Sequence, residues 1–95
     1  MKEIDKALYI HAIEKWGKQA QFIIVQEECM ELSLAVSRYI RGRVASSAVL
    51  EEMADVSLMI EQLQVILDIP DKILDNMKSM KLNRLSGLLS KEGEE

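Results

Sequence analysis

From Lys18 to Arg41 the chain runs without a proline or a glycine, and Phe22, Val25, Cys29, Leu32, Val36 and Ile40 recur through it at three- and four-residue intervals. That spacing lays an apolar stripe along one uninterrupted helix. At about 1.5 Å per residue such a helix is roughly 35 Å long, a rod as long as a small domain is wide. In a chain of 95 residues everything else must pack beside it, which points to a single all-α domain.

The few helix breakers divide the remainder. Gly17 ends a first amphipathic helix from about Ile4 to Trp16, with Leu8, Ile13 and Trp16 expected toward the core and Lys6, Glu14 and Lys15 toward water. The connection from Arg41 to Ser47 carries Gly42 as a C-terminal stop and Ser46 or Ser47 as the next N-cap. A third helix runs to about Leu67 with Leu50, Met53, Val56, Ile60, Leu63 and Leu67 as its stripe. Pro70 suits the first turn of a last helix, from Asp71 to about Leu89, that is expected to bury Ile73, Met77, Met80, Leu85 and Leu88. Residues 1–90 form the domain, and 91–95 an acidic, frayed tail.

Composition narrows the functional classes. Hydrophobic residues make up 48% of the chain but aromatics only 4%, the makeup of packed helices. A formal net charge of -4 argues against nonspecific binding to nucleic-acid polymers, which requires a basic surface. A single cysteine and a single histidine exclude an internal disulfide and a structural zinc site within one chain. No apolar run is long enough for a signal peptide or a membrane span, so a cytoplasmic location is expected. So small a domain buries a modest share of its surface alone, which favours self-association.

The chemistry-bearing feature is a repeated acidic spacing. Glu28 and Glu31 are three apart, as are Glu52 and Asp55, so each pair shares a helix face. Both pairs lie in otherwise apolar helices, each is preceded by a further acid, Glu27 or Glu51, and the small residues Ser33, Ala35, Ala54 and Ser57 lie close by. A short connection makes the two helices antiparallel neighbours, with the acid pairs differing in height by roughly 7 Å. Clustered carboxylates repel one another unless a divalent cation joins them, and Mg2+ takes carboxylate oxygens while accepting phosphate oxygens in its remaining positions. The competing account is that all four acids solvate exposed faces.

The order Glu27-Glu28-Cys29-Met30-Glu31, then Glu51-Glu52-Met53-Ala54-Asp55, resembles the two-part signature of the MazG-like all-α nucleoside triphosphate pyrophosphohydrolases. The resemblance extends to the segment from Lys15 to Gln21, to Tyr39-Ile40-Arg41-Gly42, and to Lys81-Leu82-Asn83-Arg84-Leu85. It implies a four-helix MazG-like bundle completed by oligomerisation, as a homodimer or homotetramer. It also implies cleavage of a nucleoside triphosphate between its α and β phosphates with Mg2+, for which Mn2+ substitutes. Carried over by position, Glu28, Glu31, Glu52 and Asp55 become metal ligands and catalytic acids, with Glu31 among the candidates for the general base. Lys78, Lys81 and Arg84 become phosphate contacts from the last helix of a second subunit, although a charge stripe on a terminal helix is commonly just its wet face. Gln62 stands where many members of the family carry asparagine, which leaves the substrate contacts of the third helix open.

Other residues have plainer readings. Trp16 is a candidate for base stacking or for core and interface packing. Gln19 and Gln21 are candidates to read a base edge, or else exposed helix-start glutamines. Arg41 and Arg43 at the connection are weaker candidates for phosphate contact, or else charges that complement a helix C-terminus. His11 is expected on the surface, and Cys29 as a small buried filler. From a different functional class, a non-catalytic helical interaction module on the same scaffold is the alternative.

Overall fold

Four helices account for nearly all of residues 1–93, the part of the chain that the computed structural model describes. They are α1 (Glu3–Trp16), α2 (Lys18–Ile40), α3 (Ser46–Leu67) and α4 (Asp71–Gly93), with no strand among the described residues. The expected breaks fall where the chain needs backbone freedom. Gly17 takes a φ of +88° between α1 and α2. At the end of α2, Gly42 takes φ +72°, its N–H reaches the Tyr39 carbonyl at 2.9 Å and the Arg43 N–H reaches the Arg38 carbonyl at 2.9 Å. Those two bonds form a Schellman cap, which satisfies carbonyls that the helix leaves without partners. The same pattern closes α3, where the Ile69 N–H reaches the Gln64 carbonyl at 2.8 Å. Here a non-glycine residue, Asp68, takes the left-handed conformation, with φ 55°.

Two boundaries differ from expectation. Neither Ser46 nor Ser47 caps α3: the cap position is Ala45, and no side chain bonds to it. The last helix does not stop near Leu89 but continues through Gly93; Glu94 and Glu95 of the expected tail lie outside the described residues.

The short turn folds α2 and α3 into a hairpin packed along its length, and α1 lies against both helices. Half-buried Ile13, Phe22, Val25, Leu32, Val56 and Leu63 occupy this seam as expected. Among the described residues the buried ones are Tyr9, Gln21, Ala35, Met59 and Gln64. Tyr9 rather than Leu8 or Trp16 anchors α1: its hydroxyl donates to Glu61 Oε1 on α3 at 3.2 Å, whereas Leu8 and Trp16 are exposed. Gln21, expected on the surface, is only 2% exposed, while Cys29 is exposed rather than buried. Val36, Ile40, Leu50, Met53, Ile60 and Leu67 are also exposed, because the hairpin has two sides and α1 covers only part of one.

The largest departure is α4. Gln64 Nε2 donates to Asp71 Oδ1 at 2.9 Å and to the Ile69 carbonyl at 3.3 Å, and the Met1 amine pairs with Asp71, so the start of α4 is tied to α3. From Asp75 through Lys91 every residue is exposed, including Met77, Met80, Leu85 and Leu88, which were expected in a core. Among the described residues no bundle of four helices closes. The radius of gyration is 16.7 Å, against about 12 Å for a compact domain of this length.

Candidate functional site

The hairpin turn sets how the acids meet. Glu28 lies on α2 before the turn, Glu52 and Asp55 lie on α3 after it, and all three project to the same seam. One carboxylate oxygen from each lies within 4.8 Å of the others. Opposite ligands of an octahedral Mg2+ are separated by about 4.2 Å, twice a bond of about 2.1 Å, so closing on an ion requires only small side-chain movements. Three hard, anionic oxygen donors fit Mg2+ or Mn2+ and do not suit a soft metal. Glu31, the fourth acid of the signature, is exposed and stands outside this three-way set.

The cluster is electrostatically uncomfortable. Partial withdrawal from water, then the charges of Asp55, Glu52, Glu31 and Glu27, push the Glu28 carboxyl above the usual glutamate range. Glu52 is raised in the same direction by withdrawal from water and by Asp55, Glu31 and Glu51. Glu31 therefore contributes to the field at both residues while remaining outside the set. Among the described residues no Lys or Arg side chain forms a salt bridge with any of these acids. Glu27 and Glu51 point into solvent.

The basic residues of α4 are not at the cluster within the same chain. Lys78 lines a cavity with Ser57, Ile60, Gln64, Leu74 and Asp75, while Lys81 and Arg84 lie farther along the exposed part of the helix. Arg41 donates to Ser37 Oγ at 3.0 Å, a local contact at the end of α2, and Arg43 is exposed.

Trp16 lines a largely apolar cavity together with Leu8, Tyr9, His11, Lys15 and Gln62. Lys15 Nζ lies 5.6 Å from the centre of its ring, a cation–π contact. Gln62 Oε1 and Gln21 Nε2 are both buried without a hydrogen-bond partner, while Gln19 is exposed. Compared with family models, curated proteins and solved structures, the chain matches none. The site therefore stands on its own geometry.

Tyr9 and Gln64 were not singled out by sequence. A tyrosine one position from the apolar spacing of α1 is a faint signal. Gln64 had a better one, since Asp71 follows it across a break that brings the two into reach.

Proposed function

We propose that the chain is a divalent-cation-dependent nucleoside triphosphate pyrophosphohydrolase, releasing a monophosphate and pyrophosphate. The convergence of Glu28, Glu52 and Asp55 from two helices carries this reading. Solvated acids have no reason to converge at the cost of raised proton affinity, whereas ligands for a cation do. Glu28, Glu52 and Asp55 would hold Mg2+, or Mn2+ in its place. The bound cation supplies charge neutralisation and polarisation of the phosphoryl oxygens.

The remaining roles belong to the chain. Glu31, beside the three ligands but outside them, would accept the proton of the attacking water. Trp16 and Tyr9 flank a cavity suited to a planar base, and Gln62 contributes an amide at its wall. Gln62 lies two turns beyond Asp55 on α3, about 10 Å along the helix, a span that a nucleoside triphosphate bridges. Lys78, Lys81 and Arg84 supply positive charge for the phosphates. Surplus or non-standard nucleotides are the substrates this scheme suits, in the cytoplasm.

The test is pyrophosphate release from a panel of ribo- and deoxyribonucleoside triphosphates, with and without millimolar Mg2+, for wild type and Glu28→Gln. Mg2+-dependent release by wild type alone is expected. Absence of both Mg2+ binding and cleavage across the panel leaves the helical interaction module as the function.

A further inference from the structure

Gln21 stands seven residues before Glu28 on α2, and Gln62 seven residues after Asp55 on α3. Seven residues bring a helix back to within about 20° of the same face, about 10 Å farther along. Because α2 and α3 form a hairpin and Glu28 meets Asp55 across its seam, that repeat places Gln21 opposite Gln62. The level is dry. Gln21 is 2% exposed, and its Nε2, like Gln62 Oε1, is sealed from water without a hydrogen-bond partner. With Oε1 inward, Gln62 offers the Gln21 amide an acceptor, whereas the reversed amide would set two donors against each other. Gln62 also lines the Trp16 cavity, and with Oε1 sealed away, Nε2 is the end of its amide that a ligand there can meet.

We infer that Gln62 determines base specificity at the Trp16 cavity, selecting nucleobases that turn a carbonyl oxygen toward its Nε2, uracil and hypoxanthine over cytosine and adenine. Gln21 is the positioning residue that keeps the Gln62 amide from turning over. The inference rests on the nucleotide reading above and names the substrate class for it. Other groups at the cavity favour the same class. The Lys15 ammonium and the Trp16 indole N–H can only donate, His11 can serve either way, and no Asp or Glu among the described residues lines the cavity. An amino group on the base would meet donors there, and donors buried without an acceptor weaken binding. A carbonyl oxygen meets an N–H instead, while the ring stacks on Trp16.

Trp16 is the only tryptophan, so its fluorescence follows base binding without any turnover. The full chain in millimolar Mg2+ is titrated with UMP, CMP, IMP and AMP. Within the pairs UMP and CMP, and IMP and AMP, ring size is unchanged and a carbonyl replaces an amino group. Wild type is expected to favour UMP over CMP and IMP over AMP by about tenfold or more. Gln62→Glu, which presents acceptors to the base, should reverse both preferences, and Gln62→Leu should abolish them. Gln21→Leu should narrow both ratios, whereas a merely structural loss would lower all four affinities together and leave the ratios alone. Equal affinities within the pairs, preference for the amino bases, or no Trp16 response to any of the four overturns the inference. So do preferences that survive Gln62→Leu; if that variant fails to fold, Gln62→Glu decides. Pyrophosphate release from UTP and ITP tests the reaction separately: base selection without release upholds the selectivity of the cavity and removes the hydrolase.

Discussion

Glu28 of α2 and Asp55 of α3 hold carboxylate oxygens within 4.8 Å of each other across the hairpin seam, and among the described residues no salt bridge reaches either one. Removing one charge therefore relieves repulsion while removing a ligand. Glu28→Gln and Asp55→Asn are expected to melt no lower than wild type in the absence of divalent cations. Pyrophosphate release should fall by more than about a hundredfold, since even residues behind metal ligands are worth 10–100-fold. Full activity in either variant would remove these residues from the site.

Glu28 and Glu52 have raised proton affinity in the folded protein. The folded state then holds more protons than the unfolded state in the range just above the ordinary glutamate pKa. Their ionisation costs stability as pH rises through that range, and the loss is recovered on acidification. Asp71 has the opposite sign, since its partners, the Met1 amine and Gln64, lower its pKa; its contribution disappears only at still lower pH. Without metal, urea midpoints should therefore rise as pH falls from neutrality toward the ordinary carboxylate range, and by less in Glu28→Gln. Mg2+ at a hundred times its dissociation constant should add about 2.7 kcal/mol at neutral pH. A wild-type pH slope identical to that of Glu28→Gln would contradict the shift at Glu28.

The helix order and its breaks were legible because Gly17, Gly42 and Pro70 are the only punctuation before α4, and each acts through backbone geometry that one residue type dictates. The identity of the buried residues was not. Periodicity reports which side of a helix is apolar, but α2 and α3 carry more apolar surface than α1 covers, so Leu50 and Met53 satisfy the pattern while facing solvent. The burial of Gln21 and Gln64 was not legible for the converse reason, that burial of an amide depends on packing distant in sequence. That the two acid pairs lie on neighbouring helices at similar heights followed from spacing and the short turn; that Glu28, Glu52 and Asp55 face one another did not. Nor did the separate position of Glu31, because it depends on how far the two helices are rotated about their own axes.

Gln64 is 6% exposed and joins α3 to both the Ile69 carbonyl and Asp71. Gln64→Ala leaves both acceptors short of a donor and is expected to cost about 1–3 kcal/mol in urea unfolding. Because the tie orients the start of α4, the variant should also speed hydrogen exchange in residues 71–76. A change below about 0.5 kcal/mol would show the contacts to be incidental.

Gly42 and Asp68 both occupy left-handed backbone, one with the residue suited to it and one without. Nothing lies within 4 Å of a Cβ added at Gly42, so Gly42→Ala isolates the conformational cost, about 1–2 kcal/mol. Asp68→Gly should go the other way, by up to about 1 kcal/mol. Thermal melts of the two variants, expected on opposite sides of wild type, check the pair.

The Schellman cap at Gly42 makes the acid cluster a matter of angular phase. One residue inserted within α2 between Glu31 and Ile40 turns Glu28 by about 100° around the helix relative to the cap and lifts it by about 1.5 Å. Asp55 stays where it was, and the two carboxylates part company. Length changes elsewhere in this small protein are matters of tolerance; in that stretch of α2 the count of residues is itself the specification of the site.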